Sequence, residues 1–118
     1  MTIDPQNFAS AWLAAWNAHD LDAVLALFHD DVIFTSPLAT KIAPESGGVL
    51  RGKAALRAYW AAALAQVPDL RFELTSLFAG VDSLAVGFRV NDAPERIEIL
   101  RFRGDRVSEG HGTYRVER

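Results

Sequence analysis

Glu98 is the acidic side chain that the sequence places best for proton transfer, because it lies in a segment of alternating apolar and polar residues. Side chains along a β-strand alternate between two faces, so Glu98 shares one face with Leu100 and Phe102. If these apolar residues face a covered interior, Glu98 lies there too, where loss of water favours the neutral acid. A neutral carboxyl acts as a proton donor or general acid. The alternative is a structural ion pair with Arg96 or Arg89.

The three histidines are His19, His29 and His111. They are scattered, with no carboxylates paired to them at ligand spacing, so no metal site is predicted. His19 and His29 fall near the ends of predicted helices, which favours a role as partners of the helix dipole. His111 lies between two glycines, where missing side chains leave room for a ligand or for closely packed backbone. It stays open as a candidate general base.

Aromatic residues are concentrated in the predicted helices, at Phe8, Trp12, Trp16, Tyr59 and Trp60. One interpretation is that they fill the core. The other is that some of them wall a cavity for a flat apolar ligand, the usual character of a small-molecule site. The sequence has no glycine-rich phosphate loop, nucleophile elbow or dinucleotide fingerprint, so no cofactor is predicted.

The composition limits the classes of protein to consider. The chain has 118 residues, which predicts one domain over residues 1–118. Without cysteine it has no disulfide and no thiolate site. Its 15 acidic residues outnumber its 12 basic ones, so no nucleic-acid partner is predicted. The first residues lack the features of a secretory leader, and no apolar run reaches about 18 residues. We therefore expect a cytoplasmic protein with no membrane partner.

The N-terminal half is predicted to be mainly helical. Asp4 before a proline predicts a helix over residues 5–18, and Asp20 predicts the start of a second one. The second helix is expected to carry an inward apolar stripe that ends at Phe28. A third helix is predicted over residues 52–66, because its apolar residues recur with a period of 3.6.

The strands follow mainly in the C-terminal half, where the apolar period becomes two. A first strand over residues 32–35 is followed by a predicted loop over residues 38–50, long enough to form a lid or rim. Helices that precede a meander predict an α+β domain, with a curved antiparallel sheet wrapped as a cone around three helices. The further strands are predicted over residues 70–78, 83–91, 95–103 and 106–116.

A recognisable pattern runs through residues 16–24, 27–32, 36–37 and 51–56 and the final hairpin strands. Together these segments resemble the nuclear transport factor 2-like superfamily, in its SnoaL-like polyketide cyclase and ketosteroid isomerase branch. The resemblance covers nearly the whole chain and implies the cone-shaped fold. It implies function only broadly, since the superfamily includes isomerases, cyclases, dehydratases, epoxide hydrolases and non-catalytic binders.

The resemblance to ketosteroid isomerases implies positions for the site residues. Trp12 takes the place of a tyrosine in the first helix, and Glu98, four residues before Phe102, matches a neutral carboxylic acid. Tyr114 corresponds most nearly to a pocket tryptophan. Ser36 stands where the isomerases have the aspartate base, and a serine without an adjacent base does not abstract a proton from carbon. This difference argues against the same isomerisation.

We therefore expect an internal, mainly apolar pocket for a small cyclic or aromatic organic molecule. One hypothesis is a cofactor-free isomerase or cyclase with Glu98 as the catalytic acid or base. The other is a non-catalytic ligand-binding or dimerisation module, which the serine at position 36 favours. The predicted binding residues are Trp12, Trp16, Ser36, Tyr59, Trp60, Phe102 and Tyr114.

The face of the sheet opposite the pocket is predicted to form a homodimer, because apolar residues recur on it. If Tyr114 lines the pocket, alternation places His111 on this outer face. The residues expected there are Ile97, Ile99, Val107 and Thr113.

Overall fold

The computed structural model describes residues 2–117 and has the predicted α+β architecture. The helices are α1 (Pro5–Asn17), α2 (Leu21–Leu25), α3 (Ala39–Ile42) and α4 (Gly52–Gln66), with a 3₁₀ turn at Pro44–Ser46. The strands are β1 (Phe28–Thr35), β2 (Val49–Arg51), β3 (Phe72–Ala79), β4 (Ser83–Val90), β5 (Arg96–Arg103) and β6 (Arg106–Thr113).

The strands form one curved, unclosed sheet in the order β2-β1-β6-β5-β4-β3, with the helices packed against it. Four of the five strand pairs are antiparallel, but β1 and β6 run parallel. The prediction of an antiparallel sheet is therefore wrong at this one pair. The physical reason is the connection: a hairpin forces its two strands to be antiparallel, and β1 and β6 are not joined by one.

The helix starts follow from the aspartate caps. Asp4 Oδ1 accepts a hydrogen bond from the Asn7 amide at 3.0 Å, and Asp20 Oδ1 accepts one from the Ala23 amide at 3.0 Å. Each carboxylate thereby satisfies an amide that has no partner within its helix. The second helix is shorter than expected, because Phe28 is the first residue of β1 and is buried as a strand residue.

The segment predicted as a loop over residues 38–50 is largely structured. It contains α3, the 3₁₀ turn and β2, whose Val49 pairs with Thr35 of β1. Gly47 and Gly48 connect these elements with φ values of 64° and 87°, a conformation that glycine adopts without a steric penalty. The segment is anchored rather than loose, since Ala39 and Leu50 are buried in the core.

One β-bulge corrects the predicted outer face. Phe102 pairs with Val107 but Arg101 pairs with Glu109, so Ser108 is an extra residue in β6. An inserted residue reverses the alternation of the strand on one side of it. Val107 is consequently fully buried in the core, and its predicted place on the outer face is wrong.

Candidate functional site

A cavity of about 230 Å³ lies between helices α1 and α4 and the concave face of the sheet. One wall is aromatic. Trp16 and Trp60 meet edge to face with their ring centroids 5.0 Å apart, and Phe72 lies 5.1 Å from Trp16. Phe34 of β1 packs on Trp60 at 5.6 Å. The inward stripes of α1 and α4 thus place large rings where the curved sheet leaves space.

Ser36 and Tyr59 form a polar pair in the cavity wall. The Tyr59 hydroxyl donates to Ser36 Oγ at 2.9 Å, and the Leu38 amide donates to the same oxygen at 3.2 Å. Because Ser36 Oγ accepts both bonds, its own proton is available for a further acceptor. Burial raises the pKa of Tyr59 to about 12, although the hydrogen bond to Ser36 acts in the opposite direction.

Glu98 lines the same cavity and is only partly accessible. Its Oε2 is buried and has no hydrogen-bond partner within residues 2–117. Burial raises the pKa of Glu98 to about 7, and the charge of Arg96 opposes the shift more weakly. No ion pair joins Glu98 to Arg96 or Arg89 in this part of the chain, and Arg89 pairs with Glu73 at 3.6 Å instead.

Arg96 is the cation of the cavity. Its guanidinium carbon lies 4.6 Å from the centroid of the Tyr114 ring and 5.9 Å from that of Phe88. Arg96 Nη1 donates to the Tyr114 hydroxyl at 3.2 Å, whereas Nε is buried and has no partner among the described residues. Two aromatic faces thus hold the guanidinium beside the carboxyl of Glu98. The sequence predicted Arg96 only as an ion-pair partner, although residues two apart in a strand share a face and Arg96 therefore lies on the face of Glu98.

The structure brings six of the predicted site residues to the cavity: Glu98, Trp16, Ser36, Tyr59, Trp60 and Tyr114. The other two, Trp12 and Phe102, do not line it. Trp12 is fully buried between Phe72 and Phe88, with ring distances of 5.3 and 5.0 Å. Phe102 packs edge to face on Phe8 at 5.0 Å, deeper in the core.

The histidines lie away from the cavity. His111 is on the outer face, where Nε2 lies 2.6 Å from Glu109 Oε2 and Nδ1 lies 2.6 Å from Thr35 Oγ1. His29 is a residue of β1 and donates to the Arg103 carbonyl at 2.6 Å, so its predicted place at a helix end is wrong. His19 lies past the end of α1 and donates to the Leu70 carbonyl at 2.7 Å.

Comparison with known proteins identifies the family. The profile of the SnoaL-like domain family matches residues 9–117. The chain belongs to this family. A SnoaL-like protein of unknown function from Burkholderia thailandensis E264 is 42% identical, with a TM-score of 0.88 over 95% of this chain and 94% of that one. The predicted resemblance is therefore confirmed. No curated protein sequence matches the chain.

More distant structures share the fold of this SnoaL-like domain. IdmH from Streptomyces antibioticus, a candidate polyketide cyclase, is 17% identical, with a TM-score of 0.77 over 93% of this chain and 91% of that one. TerC, co-crystallised with polyporic acid, is also 17% identical, with a TM-score of 0.76 over 95% of this chain and 92% of that one.

Within residues 2–117, no helix combines the length and apolar character needed to cross a bilayer.

Proposed function

We propose that this SnoaL-like domain binds a small cyclic or aromatic ketone in its cavity and transfers protons on it without a cofactor, as an isomerase or cyclase. The observation that carries the proposal is a carboxyl set in an aromatic wall, whose buried Oε2 has no hydrogen-bond partner within residues 2–117. Glu98 is the proposed catalytic acid and base, and Ser36 is the proposed donor to the ligand oxygen.

The size and lining of the cavity support a ring-shaped ligand. An engineered apolar cavity of about 150 Å³ binds benzene, so a volume of about 230 Å³ suits one ring or two fused rings. The rings of Trp16 and Trp60 offer flat apolar contacts. The fold shared with IdmH and with TerC, the latter co-crystallised with polyporic acid, agrees with a cyclic ligand.

The pKa of Glu98 supports the proton transfer. A group with a pKa near the working pH is present in both protonation states, so it can accept a proton and return it. Among the described residues, no histidine or carboxylate is bonded to Ser36, and its oxygen already accepts from Tyr59 and Leu38. It therefore acts as a hydrogen-bond donor to the ligand, and removal of a proton from carbon falls to Glu98.

A non-catalytic binding module is the second candidate. The observation in its favour is Ser36, which takes the place of the base in the isomerases that the chain resembles. In this case Glu98 only donates a hydrogen bond to the ligand.

The proposal is tested with 2-tetralone, a two-ring ketone with acidic C–H bonds. Quenching of tryptophan fluorescence reports binding, and NMR in D₂O reports exchange at the carbons next to the carbonyl. We expect Glu98→Gln to bind with similar affinity but to lose at least about 100-fold in exchange rate. Glu73→Gln, an exposed glutamate on β3, is the control and should match the wild type.

The outcomes separate the two candidates. Binding without exchange above the buffer rate in the wild type supports the binding module and overturns the catalytic proposal. Absence of binding for 2-tetralone and for other one- and two-ring ketones of similar size overturns both.

We also propose that a second copy of the chain covers the outer face of the sheet. Phe78 is 66% exposed there, and Ile97 and Ile99 are each 37% exposed. Phe78 and Ile99 lie on either side of Ala85 in one cross-strand row, so they form a continuous apolar strip. Light scattering at micromolar concentration should give the mass of a dimer, and Ile99→Asp should give a monomer. A monomeric wild type contradicts this proposal.

A further inference from the structure

Arg96 forms no ion pair within residues 2–117. A guanidinium stays protonated in proteins, and Arg96 is partly buried, so a counter-ion in the cavity would stabilise its charge. Arg96 Nη1 reaches only the neutral hydroxyl of Tyr114, and Nε has no partner in the described part of the chain. The other arginines that form ion pairs within residues 2–117 do so outside the cavity lining.

We propose that the cavity selects ligands that carry an acidic oxygen group, a carboxylate or an enolate, which supplies the missing counter-ion to Arg96. This inference rests on the proposed function and narrows its ligand class from ring ketones in general to cyclic compounds with an acidic oxygen group. On such a ligand the protonated Glu98 serves as the proton donor, and its role as the base applies to neutral ketones. The neighbouring Glu98, in its protonated form, donates a hydrogen bond to the same anionic oxygen.

The geometry places both groups on one face of one strand. Arg96 and Glu98 are two residues apart in β5, so their side chains leave the sheet on the same side and both line the cavity. A cation and a protonated carboxyl together offer N–H and O–H donors to one ligand oxygen. Charge-assisted hydrogen bonds of this kind are about twice as strong as neutral ones.

Anion binding in this arrangement depends on the proton of Glu98. An ionised Glu98 repels the ligand and competes with it for Arg96, so the bound state contains the protonated acid. The groups that face Glu98 are Arg96 from its own strand, Tyr59 from α4 and Tyr114 after β6. Burial raises the pKa of Tyr59 to about 12, far above the range in which Glu98 titrates. The three histidines do not line the cavity.

The test compares 2-naphthoate, an anion, with 2-acetonaphthone, a neutral ketone of similar size. Dissociation constants are measured by tryptophan quenching at pH 6 and pH 8. At pH 6 we expect the anion to bind at least about tenfold more tightly than the ketone. Between pH 6 and pH 8 its affinity should fall about tenfold, since the pKa of Glu98 is about 7. The ketone should change less than about threefold.

Two variants assign the effect to the two residues. Arg96→Met should weaken 2-naphthoate about tenfold or more and leave 2-acetonaphthone nearly unchanged. Arg89→Met, which removes an arginine of β4 outside the cavity lining, is its control. Glu98→Gln should keep the preference for the anion but remove its pH dependence. The wild-type pH profile tests the inference even if Arg96→Met does not fold.

The outcomes distinguish this inference from the function on which it rests. Equal affinities for the two probes at pH 6, or anion binding that is unchanged at pH 8, overturn the inference and leave a ketone-binding cavity intact. Failure of both probes to bind overturns the inference together with the proposed function.

Discussion

Replacing Glu98 with glutamine is expected to remove a pH-dependent part of the free energy of unfolding. Burial raises the pKa of Glu98 from 4.5 to about 7. The folded state therefore holds the proton more tightly than the unfolded state. The stability that this proton contributes is complete below about pH 4.5 and is lost as the pH rises through about 7.

The magnitude follows from the same two values. One pH unit of difference in pKa corresponds to about 1.36 kcal/mol, so the change from 4.5 to about 7 gives about 3 kcal/mol. Part of the carboxyl faces the cavity, where water reduces the penalty, so about 2–3 kcal/mol is the expected size. Glutamine has nearly the same shape as glutamate and no proton to lose, so position 98 should add no pH dependence to the stability of Glu98→Gln.

The measurement is urea unfolding of the wild type and of Glu98→Gln at several pH values from 4.5 to 8.5. The difference in the free energy of unfolding, wild type minus variant, should decrease by about 2–3 kcal/mol across this range. Taking the difference cancels other groups, such as Asp31, whose pKa is lowered by Arg103. Glu73→Gln serves as the exposed control. A difference that stays flat, or that increases with pH, would refute the placement of an unpaired carboxyl in the cavity.

Substitutions at three further sites test the core packing, a helix cap and the polar pair. Gly110→Ala should lower the free energy of unfolding by about 1–3 kcal/mol, because a Cβ there lies 2.7 Å from a ring carbon of Phe34; a neutral result in urea unfolding contradicts this packing. Asp20→Ala should lower the free energy of unfolding by about 1 kcal/mol, because it removes the cap of α2. Asp20→Asn should keep most of the stability that the cap provides, and thermal unfolding of the two variants measures the difference. Ser36→Ala should lower the free energy of unfolding by about 1–3 kcal/mol, because the buried Tyr59 hydroxyl loses its acceptor. The double variant Ser36→Ala with Tyr59→Phe should recover part of that loss in urea unfolding.

Local rules of sequence were sufficient for much of the fold. The period of 3.6 predicted α4 with the bounds that the structure has, Gly52–Gln66. Asp4 and Asp20 marked two helix starts correctly, because the capping bond involves residues only three apart. The parallel pairing of β1 with β6 was not predicted, because it depends on contacts between residues more than 70 positions apart.

The site was predictable only where alternation along one strand decides it. Alternation predicted the position of Glu98 correctly, because Leu100, two residues further along the strand, is buried in the core and lies on the same face. Trp12 and Trp16 are four residues apart on the same helix stripe, yet only Trp16 lines the cavity. Periodicity gives both the same face, and the difference arises from where Phe72 and Phe88 enclose Trp12. The orientation of Arg96 depends on the ring of Tyr114, which no local pattern reveals.

The bulge at Ser108 explains why Glu98 Oε2 has no hydrogen-bond partner within residues 2–117. On the side of the bulge nearer the β5–β6 hairpin, Phe102 pairs with Val107. If that register continued without the extra residue, His111 would lie opposite Glu98 and on the same face. An imidazole there would bond to the carboxyl and hold it in its ionised form. The extra residue moves the register by one, so that Gly112 lies opposite Glu98 and His111 turns to the outer face. The other neighbour of Glu98, Val86, is apolar and fully buried. The raised pKa of Glu98 therefore follows from the strand register as well as from burial. One inserted residue leaves the acid without a bonded partner among the described residues and turns the histidine that could have been its base to the outer face.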